Sequence, residues 1–157
     1  MKKDASLSII EDVENHKLLM IKHLRGINKG FVNFCGGKKE EGETMEDCVR
    51  RETFEETGIV IENPKRVGYV EFVPTEYNVT VFKSTKFHGN VKASEGEVEV
   101  FWQDADSIPL DKMRTADRDY IPEIMKGKYV KKQYLYDEKG NVAKIIPLVL
   151  EEWEKTL

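Results

Sequence analysis

The chain contains few cysteines, which form the disulfides of small secreted domains, and no long apolar run of the kind found in membrane segments. Of its 157 residues only two are cysteines, Cys35 and Cys48. No C-x-x-C or His-Cys spacing accompanies them, which argues against a zinc site and predicts reduced thiols. No apolar run approaches the roughly 20 residues of a membrane helix, and the start lacks the apolar stretch of a signal peptide. We therefore expect a cytoplasmic protein without membrane contact.

An excess of positive charge is also missing. Lys and Arg total 25 against 29 for Asp and Glu, a formal net charge of −4 at pH 7. Proteins that bind the backbone of polymeric nucleic acid are normally basic, so we expect no such partner. A small anionic substrate held through a metal ion remains compatible with this charge. The length predicts one domain, residues 1–157, with a genuine hydrophobic core.

The most informative stretch runs from Gly36 to Ile59 and reads GGKKEEGETMEDCVRRETFEETGI. Thr44, with Asp47 three residues later, forms a capping-box pattern that predicts the start of a helix. Gly58 is typical of the residue that ends one. The glycine pair Gly36-Gly37 is interpreted as a tight turn that lets the backbone approach a ligand.

Three acids of this helix, Glu52, Glu55 and Glu56, are spaced i, i+3, i+4 and share one face. An acidic solvated face is the simpler interpretation, since like charges cost only about 0.2–0.5 kcal/mol per pair. Against it, the core-facing stripe of the helix continues to Glu52, and an acid at the edge of a buried face needs a partner. The stripe consists of Met45, Cys48 and Val49. Converging carboxylate oxygens suit Mg²⁺ or Mn²⁺, so we predict a metal site.

The spacing of these residues resembles the Nudix box of hydrolases that act on nucleoside diphosphate-linked compounds. The matching positions are Gly37, Glu43, Arg51-Glu52, Glu55-Glu56 and Gly58-Ile59. Thr53 departs from the pattern, because the family usually carries a bulky aliphatic residue there. The resemblance implies an α/β fold, an α/β/α sandwich with a mixed β-sheet between helices.

The resemblance also implies a reaction in which water attacks a phosphorus of a diphosphate linkage with the help of Mg²⁺, with Mn²⁺ as the alternative ion. Its implied metal ligands are Glu52, Glu55 and Glu56, joined by Glu43 and the Gly37 carbonyl. Arg51 is expected to pair with a glutamate of the box and fix its rotamer.

A further glutamate is expected outside the box. The run EGEVEVFW, from Glu95 to Trp102, alternates with period two and puts three acids on one strand face. Such a row is usually the solvent side of a sheet. In the Nudix family, however, a glutamate of this region often completes the metal site or acts as the base. Glu99 is the first choice, with Glu97 and Glu95 as alternatives.

The run GFVNFCGGK, from Gly30 to Lys38, resembles the MutT-type branch that hydrolyses oxidised purine nucleoside triphosphates such as 8-oxo-dGTP. Asn33 matches an asparagine that reads the base edge in animal members, and Asp117 matches an acid that reads the other edge. Asp119 is the alternative to Asp117. Without the resemblance, Asn33 is equally well a turn residue at a strand end and Asp117 a helix N-cap. Members of the branch carry a tryptophan that stacks on the base. Arg114 stands at about that position in this chain, and its guanidinium can also stack on a planar ring.

Two basic residues are candidates for phosphate contacts. Lys38 directly follows the glycine pair, and His23 precedes a glycine-containing loop that leads to the same strand. For either residue a solvated role is also compatible with the sequence. The expected partner is thus a small nucleotide, and the short chain with no added dimerisation domain favours a triphosphate. ADP-ribose, a nucleotide sugar or a dinucleoside polyphosphate is the alternative substrate, and a nucleotide-binding regulator without catalysis is the alternative function.

The periodicity predicts further elements around this stretch. They are a hairpin of Ala5–Val13 and Lys17–Leu24, a strand Phe31–Cys35, a turn Pro74-Thr75-Glu76, a turn at His88-Gly89-Asn90, a helix Asp117–Met125, a hairpin of Tyr129–Tyr136 and Val142–Ile146, and a helix Leu148–Trp153.

Overall fold

The computed structural model describes residues 2–75, 77–92 and 96–157. Its strands are β1 Lys3–Asp12, β2 Lys17–His23, β3 Val32–Asn33, β4 Cys35–Lys38, β5 Ile59–Glu62, β6 Lys65–Val73, β7 Tyr77–Ser84, β8 Lys86–Gly89, β9 Val98–Asp104, β10 Val130–Tyr136 and β11 Val142–Pro147. The α-helices are α1 Met45–Thr57 and α2 Thr115–Met125, and two single 3₁₀ turns cover Leu110–Lys112 and Glu154–Thr156. No helix in the described ranges is long and apolar enough to cross a membrane.

Nine strands form one sheet, in the order β11-β10-β6-β7-β1-β2-β3, with β4 paired to β1 and β9 paired to β2. The pairs β1–β7 and β6–β10 are parallel, whereas the other pairs of this sheet are antiparallel. Strands β5 and β8 form a separate antiparallel ladder. The large sheet is therefore mixed, as expected.

The two faces of the sheet bury two different cores. Along β2, Leu18 and Met20 join a cluster that includes Tyr120 and Ile121 of α2. Leu19 and Ile21, which point to the other face of β2, join a second cluster, which includes Val49 of α1. Alternation along one strand thus divides the side chains between two helical layers. The predicted α/β/α sandwich with a mixed sheet is confirmed.

Helix α1 begins and ends as its sequence predicts. Thr44 Oγ1 accepts a hydrogen bond from Asp47 N at 3.0 Å, and the Asp47 carboxylate accepts one from Thr44 N at 3.2 Å. Gly58 adopts the left-handed conformation, with φ 84°, and ends the helix. Thr53, the departure from the family pattern, is fully buried, with its carbonyl accepting from Thr57 Oγ1 at 2.6 Å. A small polar residue therefore packs beneath the helix.

Several predicted elements differ from the observed ones. The segment 148–153 is not helical, because Leu148 N donates to Lys131 O and extends the pairing along β10. Helix α2 begins at Thr115, two residues earlier than predicted. The turn predicted around His88 is wrong, since that residue pairs with Val60 in the β5–β8 ladder. The last residue of the predicted turn Pro74-Thr75-Glu76 lies outside the described residues.

The predicted strand Phe31–Cys35 is divided between two partners. Val32 and Asn33 pair with β2, whereas Cys35 and the residues after it pair with β1. The division carries the chain from one neighbour to the other and brings the glycine pair alongside β1. Both hairpins, β1–β2 and β10–β11, are confirmed with small shifts of their ends.

Candidate active site

The glycine pair lies in extended strand β4, so the predicted tight turn is wrong. Gly36 and Gly37 pair with Leu7 and Ser6 of β1. A Cβ atom on Gly36 would overlap the Ser6 carbonyl oxygen, and one on Gly37 would overlap the Glu52 carboxyl group. Glycine is required here because the backbone passes so close to its neighbours, not because the chain turns. The result is a backbone edge in contact with the acidic face of α1.

Arg51 organises the acids at this edge. Its Nε and Nη2 donate to the two oxygens of Glu43 at 2.7 and 2.9 Å, and its Nη1 donates to Glu52 Oε1 at 2.8 Å and to Glu55 Oε2 at 3.2 Å. Nη2 also donates to the Lys38 carbonyl at 2.9 Å. The hydrogen bonds from Arg51 lower the pKa of Glu43 to about 2. One guanidinium therefore links the loop before α1, the helix itself and β4.

Glu56 has a different environment from the other acids. Its Oε1 accepts a hydrogen bond from Gly36 N at 3.3 Å. Burial raises the pKa of Glu56 to about 7, the hydrogen bond from Gly36 opposes the rise, and the charge of Glu52 adds to it. A buried carboxyl group in this state gains from a nearby cation, which favours its ionised form.

The donor atoms are of the type that a hard divalent cation prefers. Glu52, Glu55 and Glu56 offer only oxygen atoms on one face of α1, and the carboxyl groups of Glu52 and Glu56 lie against Gly37 and Gly36 of β4. Across residues 2–75, 77–92 and 96–157, no three His, Cys, Asp or Glu side chains converge closely enough to hold a metal ion. Glu55 would have to turn from Arg51 to join a metal site. The Gly37 carbonyl accepts from Ser6 Oγ and Cys48 Sγ, each at 3.5 Å.

The glutamate predicted outside the box lies away from this edge. Val98 and Val100, its neighbours on β9, pack with the cluster beneath α1. Because side chains alternate along a strand, Glu99 projects from the opposite face, where it is exposed. Glu97 is also exposed, and its carbonyl accepts from Leu24 N at 2.8 Å. Glu95 lies outside the described residues. Glu99 is thus not brought together with the acids of α1.

The two candidate base readers have different hydrogen-bonding states. Asn33 is half-buried at the end of β3, and its Oδ1 accepts from Phe34 N at 2.8 Å. Asp117 is only 4% exposed, and its Oδ1 accepts from Tyr120 Oη at 2.7 Å. Its buried Oδ2 has no hydrogen-bond partner within the described part of the chain. Burial raises the pKa of Asp117 above its ordinary value. The N-cap of α2 is Arg114, so the interpretation of Asp117 as an N-cap is wrong.

Arg114 lies close to Asp117, and its contacts with Phe31 and Asn28 were not predicted from the sequence. Its guanidinium stands 4.0 Å from the centre of the Phe31 ring and donates to Asn28 Oδ1. Burial lowers the pKa of His23, and the positive charge of Arg114 lowers it further. The structure therefore gathers His23, Phe31 and Arg114 in one region. The sequence signal for Phe31 is its aromatic side chain two positions before the candidate Asn33.

The remaining candidates have structural contacts of their own. Lys38 is exposed, with its Nζ 5.4 Å from the centre of the Tyr77 ring. Asp119 Oδ2 accepts from Tyr134 Oη at 2.6 Å and from Lys132 Nζ at 2.9 Å. Burial acts to raise the pKa of Asp119, but these hydrogen bonds outweigh it and the pKa is lowered. Asp119 thus ties α2 to β10, whereas Asp117 keeps an unpartnered oxygen.

Sequence comparison gives relatives over most of the chain. Residues 1–124 match the NUDIX domain family. The chain is 32% identical over 120 residues to the mouse (Mus musculus) "Oxidized purine nucleoside triphosphate hydrolase", covering 74% of this chain and 76% of the relative. It is 30% identical over 126 residues to the zebrafish (Danio rerio) protein of the same name, covering 78% and 80%.

Structural comparison agrees with this result. The MutT protein from Bacillus halodurans superposes with a TM-score of 0.81 and 22% identity, over 91% of this chain and 95% of that one. At this identity the likeness concerns the fold. The family match rests on the sequence, including the stretch with the acidic helix and the glycine pair. The chain therefore belongs to the Nudix hydrolase family, whose enzymes act on nucleoside diphosphate-linked substrates and generally use divalent metal ions.

Proposed function

We propose that this Nudix hydrolase cleaves an oxidised purine nucleoside triphosphate, 8-oxo-dGTP being the first to test, into the nucleoside monophosphate and pyrophosphate. The names of the mouse and zebrafish relatives support this substrate class. The observation that carries the proposal is the buried Oδ2 of Asp117, close to Arg114, which has no hydrogen-bond partner among the residues that the structure describes. In this role the enzyme would remove damaged nucleotides from the cytoplasmic pool.

Base recognition follows from the chemistry of two side chains. A purine edge that hydrogen-bonds to Asp117 Oδ2 would offset the free energy lost when that oxygen was buried. The raised pKa lets the Asp117 carboxyl group be protonated and donate, or be ionised and accept. Asn33 would meet the other edge with its amide NH₂ group, which makes no hydrogen bond to the residues that the structure describes.

Stacking would come from the guanidinium of Arg114. A planar guanidinium held over Phe31 has a second face, and that face is suited to a purine ring. The hydrogen bond to Asn28 fixes the orientation of this plane. His23 lies close enough to Arg114 for their charges to interact. We assign His23 and Lys38 to contacts with the triphosphate.

The hydrolytic centre would use the acids of α1. Glu52, Glu55 and Glu56 would hold Mg²⁺ or Mn²⁺, with the Gly37 carbonyl and Glu43 as the further predicted ligands. When bound, the ion supplies positive charge that offsets the phosphate oxygens and favours ionisation of the attacking water. Arg51 holds the Glu52 carboxyl group in position through its 2.8 Å hydrogen bond.

The proton of the attacking water needs an acceptor. Burial holds the pKa of Glu56 at about 7 in the absence of an ion; a bound ion would favour the ionised carboxylate, which is the form that accepts a proton. Glu99 stays the alternative base predicted from the sequence. Because Glu99 projects from the other face of β9, we expect Glu99→Gln to retain more activity than Glu56→Gln.

The test is pyrophosphate release from 8-oxo-dGTP and from dGTP, side by side in MgCl₂, expressed as the ratio of kcat/KM. A ratio of about tenfold or more, equivalent to ~1.4 kcal/mol, supports the proposal. Asp117→Asn should reduce the ratio, whereas Asp111→Asn, an exposed acid of the preceding 3₁₀ turn, should not. Equal and slow rates on both nucleotides would contradict it and direct the assay to ADP-ribose, nucleotide sugars and dinucleoside polyphosphates.

A further inference from the structure

A cavity of about 460 Å³ lies apart from the acidic face of α1. It is formed where β5 ends, β6 begins and β7 and β8 meet, together with the residues that end α2. None of its lining residues belongs to the stretch 36–59 or to the candidate base readers. Its volume is in the range of small-molecule sites, roughly 300–1,000 Å³.

Cationic side chains dominate the charge of the lining, and two of them are neutralised by acids. The Arg66 guanidinium makes two hydrogen bonds of 3.1 Å to the Glu46 carboxylate. Lys83 Nζ lies 2.9 Å from Glu11 Oε1. These two cations therefore add little net charge to the cavity.

The other cations leave an excess of positive charge. Lys86 lies opposite Glu62, the acidic side chain of the lining, in the register of the β5–β8 ladder. Lys65 and Lys128 form no ion pair with any residue that the structure describes. Two ammonium groups from different elements, β6 and the segment after α2, therefore border one cavity, and Glu62 is the one acidic side chain among its described lining residues.

The cavity also has an apolar wall. It is lined by Val67 and Tyr129, which are half-buried, and by Ile124, which is 2% exposed. A ligand for this site thus needs an anionic group that satisfies two ammonium groups and a flat or apolar part that covers these side chains. A free inorganic anion would satisfy only the first requirement.

We propose that this cavity is a second ligand site, which binds a phosphomonoester of the nucleoside monophosphate class. The phosphate, nearly dianionic at pH 7, contacts Lys65 and Lys128. The nucleoside part lies against Val67 and Tyr129, which are half-buried. The site is separate from the hydrolytic centre and requires neither metal nor turnover, so it does not depend on the proposed function.

The experiment is a titration of the full chain with guanosine 5′-monophosphate, followed by ¹H–¹⁵N NMR in EDTA. We expect shifts in the amides of residues 65–67 and 127–129 and a Kd below about 1 mM. Lys65→Ala/Lys128→Ala should raise the Kd at least tenfold. Lys139→Ala/Lys144→Ala removes the same charge from the β10–β11 hairpin and should leave the Kd within twofold. Thermal unfolding of both double variants checks that they fold alike.

The outcomes separate the two parts of the proposal. Shifts confined to Asn33, Gly36 and Gly37, or equal loss of affinity in both double variants, would overturn the second site. Guanosine binding as tightly as its monophosphate would overturn recognition of the phosphate. Inorganic phosphate binding as tightly as the nucleotide would overturn recognition of the nucleoside. Weak guanosine and phosphate binding, with tighter binding of the nucleotide, supports the proposal.

Discussion

The glutamates around Arg51 have different environments, although all belong to the loop before α1 or to α1 itself. Both oxygens of Glu43 accept hydrogen bonds from Arg51, while Glu56 accepts a backbone hydrogen bond from Gly36. The first carboxylate is held ionised by a cation in direct contact, whereas the second forms no ion pair within the described part of the chain. A divalent ion would therefore change the state of Glu56 more than that of Glu43.

Glu56→Gln should lower turnover by about tenfold or more, ~1.4 kcal/mol in the activation barrier, because it removes a charged oxygen donor. Folding should be nearly unchanged, since the amide has the same shape and avoids burial of a charge. Steady-state rates, Mn²⁺ affinity and thermal unfolding measure the three effects. Glu41→Gln, an exposed acid before α1, is the control and should leave the rate unchanged. Normal turnover in folded Glu56→Gln would remove Glu56 from the metal site.

Asp117→Asn should stabilise the free protein at neutral pH. Burial raises the pKa of Asp117 in the folded state, so the folded state binds the proton more tightly than the unfolded state. Its contribution to stability is present below the ordinary value of 3.8 and is lost as the pH rises toward and through the folded pKa. The variant lacks this loss. In thermal unfolding between pH 4 and pH 8, the melting temperature of the variant relative to the wild type should thus rise with pH, and a constant difference would contradict the prediction.

At the scale of elements, α1 depends on local contacts at its ends. The reciprocal hydrogen bonds of Thr44 and Asp47 satisfy backbone groups of the first turn, and Gly58 ends the helix in the left-handed conformation. Those contacts set where Glu52 and Glu56 stand relative to β4. Strand β4 adds the other half of the arrangement, because only glycine at positions 36 and 37 lets it pass so close.

Thr44→Ala should destabilise the protein by about 1 kcal/mol, because the alanine leaves the Asp47 amide without its cap. For a chain of this length the melting temperature should fall by about 2–4 °C. Differential scanning fluorimetry measures the change. Thr115→Ala replaces an exposed residue in the first turn of α2 and is the control, since the N-cap of that helix is Arg114. An equal loss in both variants would argue against the capping contribution.

At the scale of the whole molecule, the large sheet joins both cores. Strand β2 supplies Leu18 and Met20 to one cluster and Leu19 and Ile21 to the other. Neither layer can lose its helix without exposing apolar side chains of the shared sheet. Asp117 belongs to α2, Asn33 to β3 and the acidic face to α1, so the sheet also sets their relative position.

Residues 1–157 should unfold as one domain, because the two cores share their strands. Differential scanning calorimetry should give a single transition with a ratio of calorimetric to van't Hoff enthalpy of about one. Two transitions, or a ratio well above one, would show that the α1 and α2 layers unfold separately.

The sequence alone determined the features that arise from local spacing. The capping box, the terminal glycine and the i, i+3, i+4 glutamates depend on contacts within about one helical turn, so their positions follow from residue order. The alternation along β9 likewise assigned its side chains to the two faces of the sheet.

Only the tertiary structure decided which distant residues meet. Arg51 donates to Glu43, and Asp119 accepts hydrogen bonds from Lys132 and Tyr134. Asp117 Oδ2 has no hydrogen-bond partner among the described residues. The Arg114 guanidinium stacks on the ring of Phe31. The tertiary structure also made the glycine pair extended and kept residues 148–153 out of a helix. These outcomes depend on neighbours far apart in the chain, whose approach is set by strand pairing and burial and not by local periodicity.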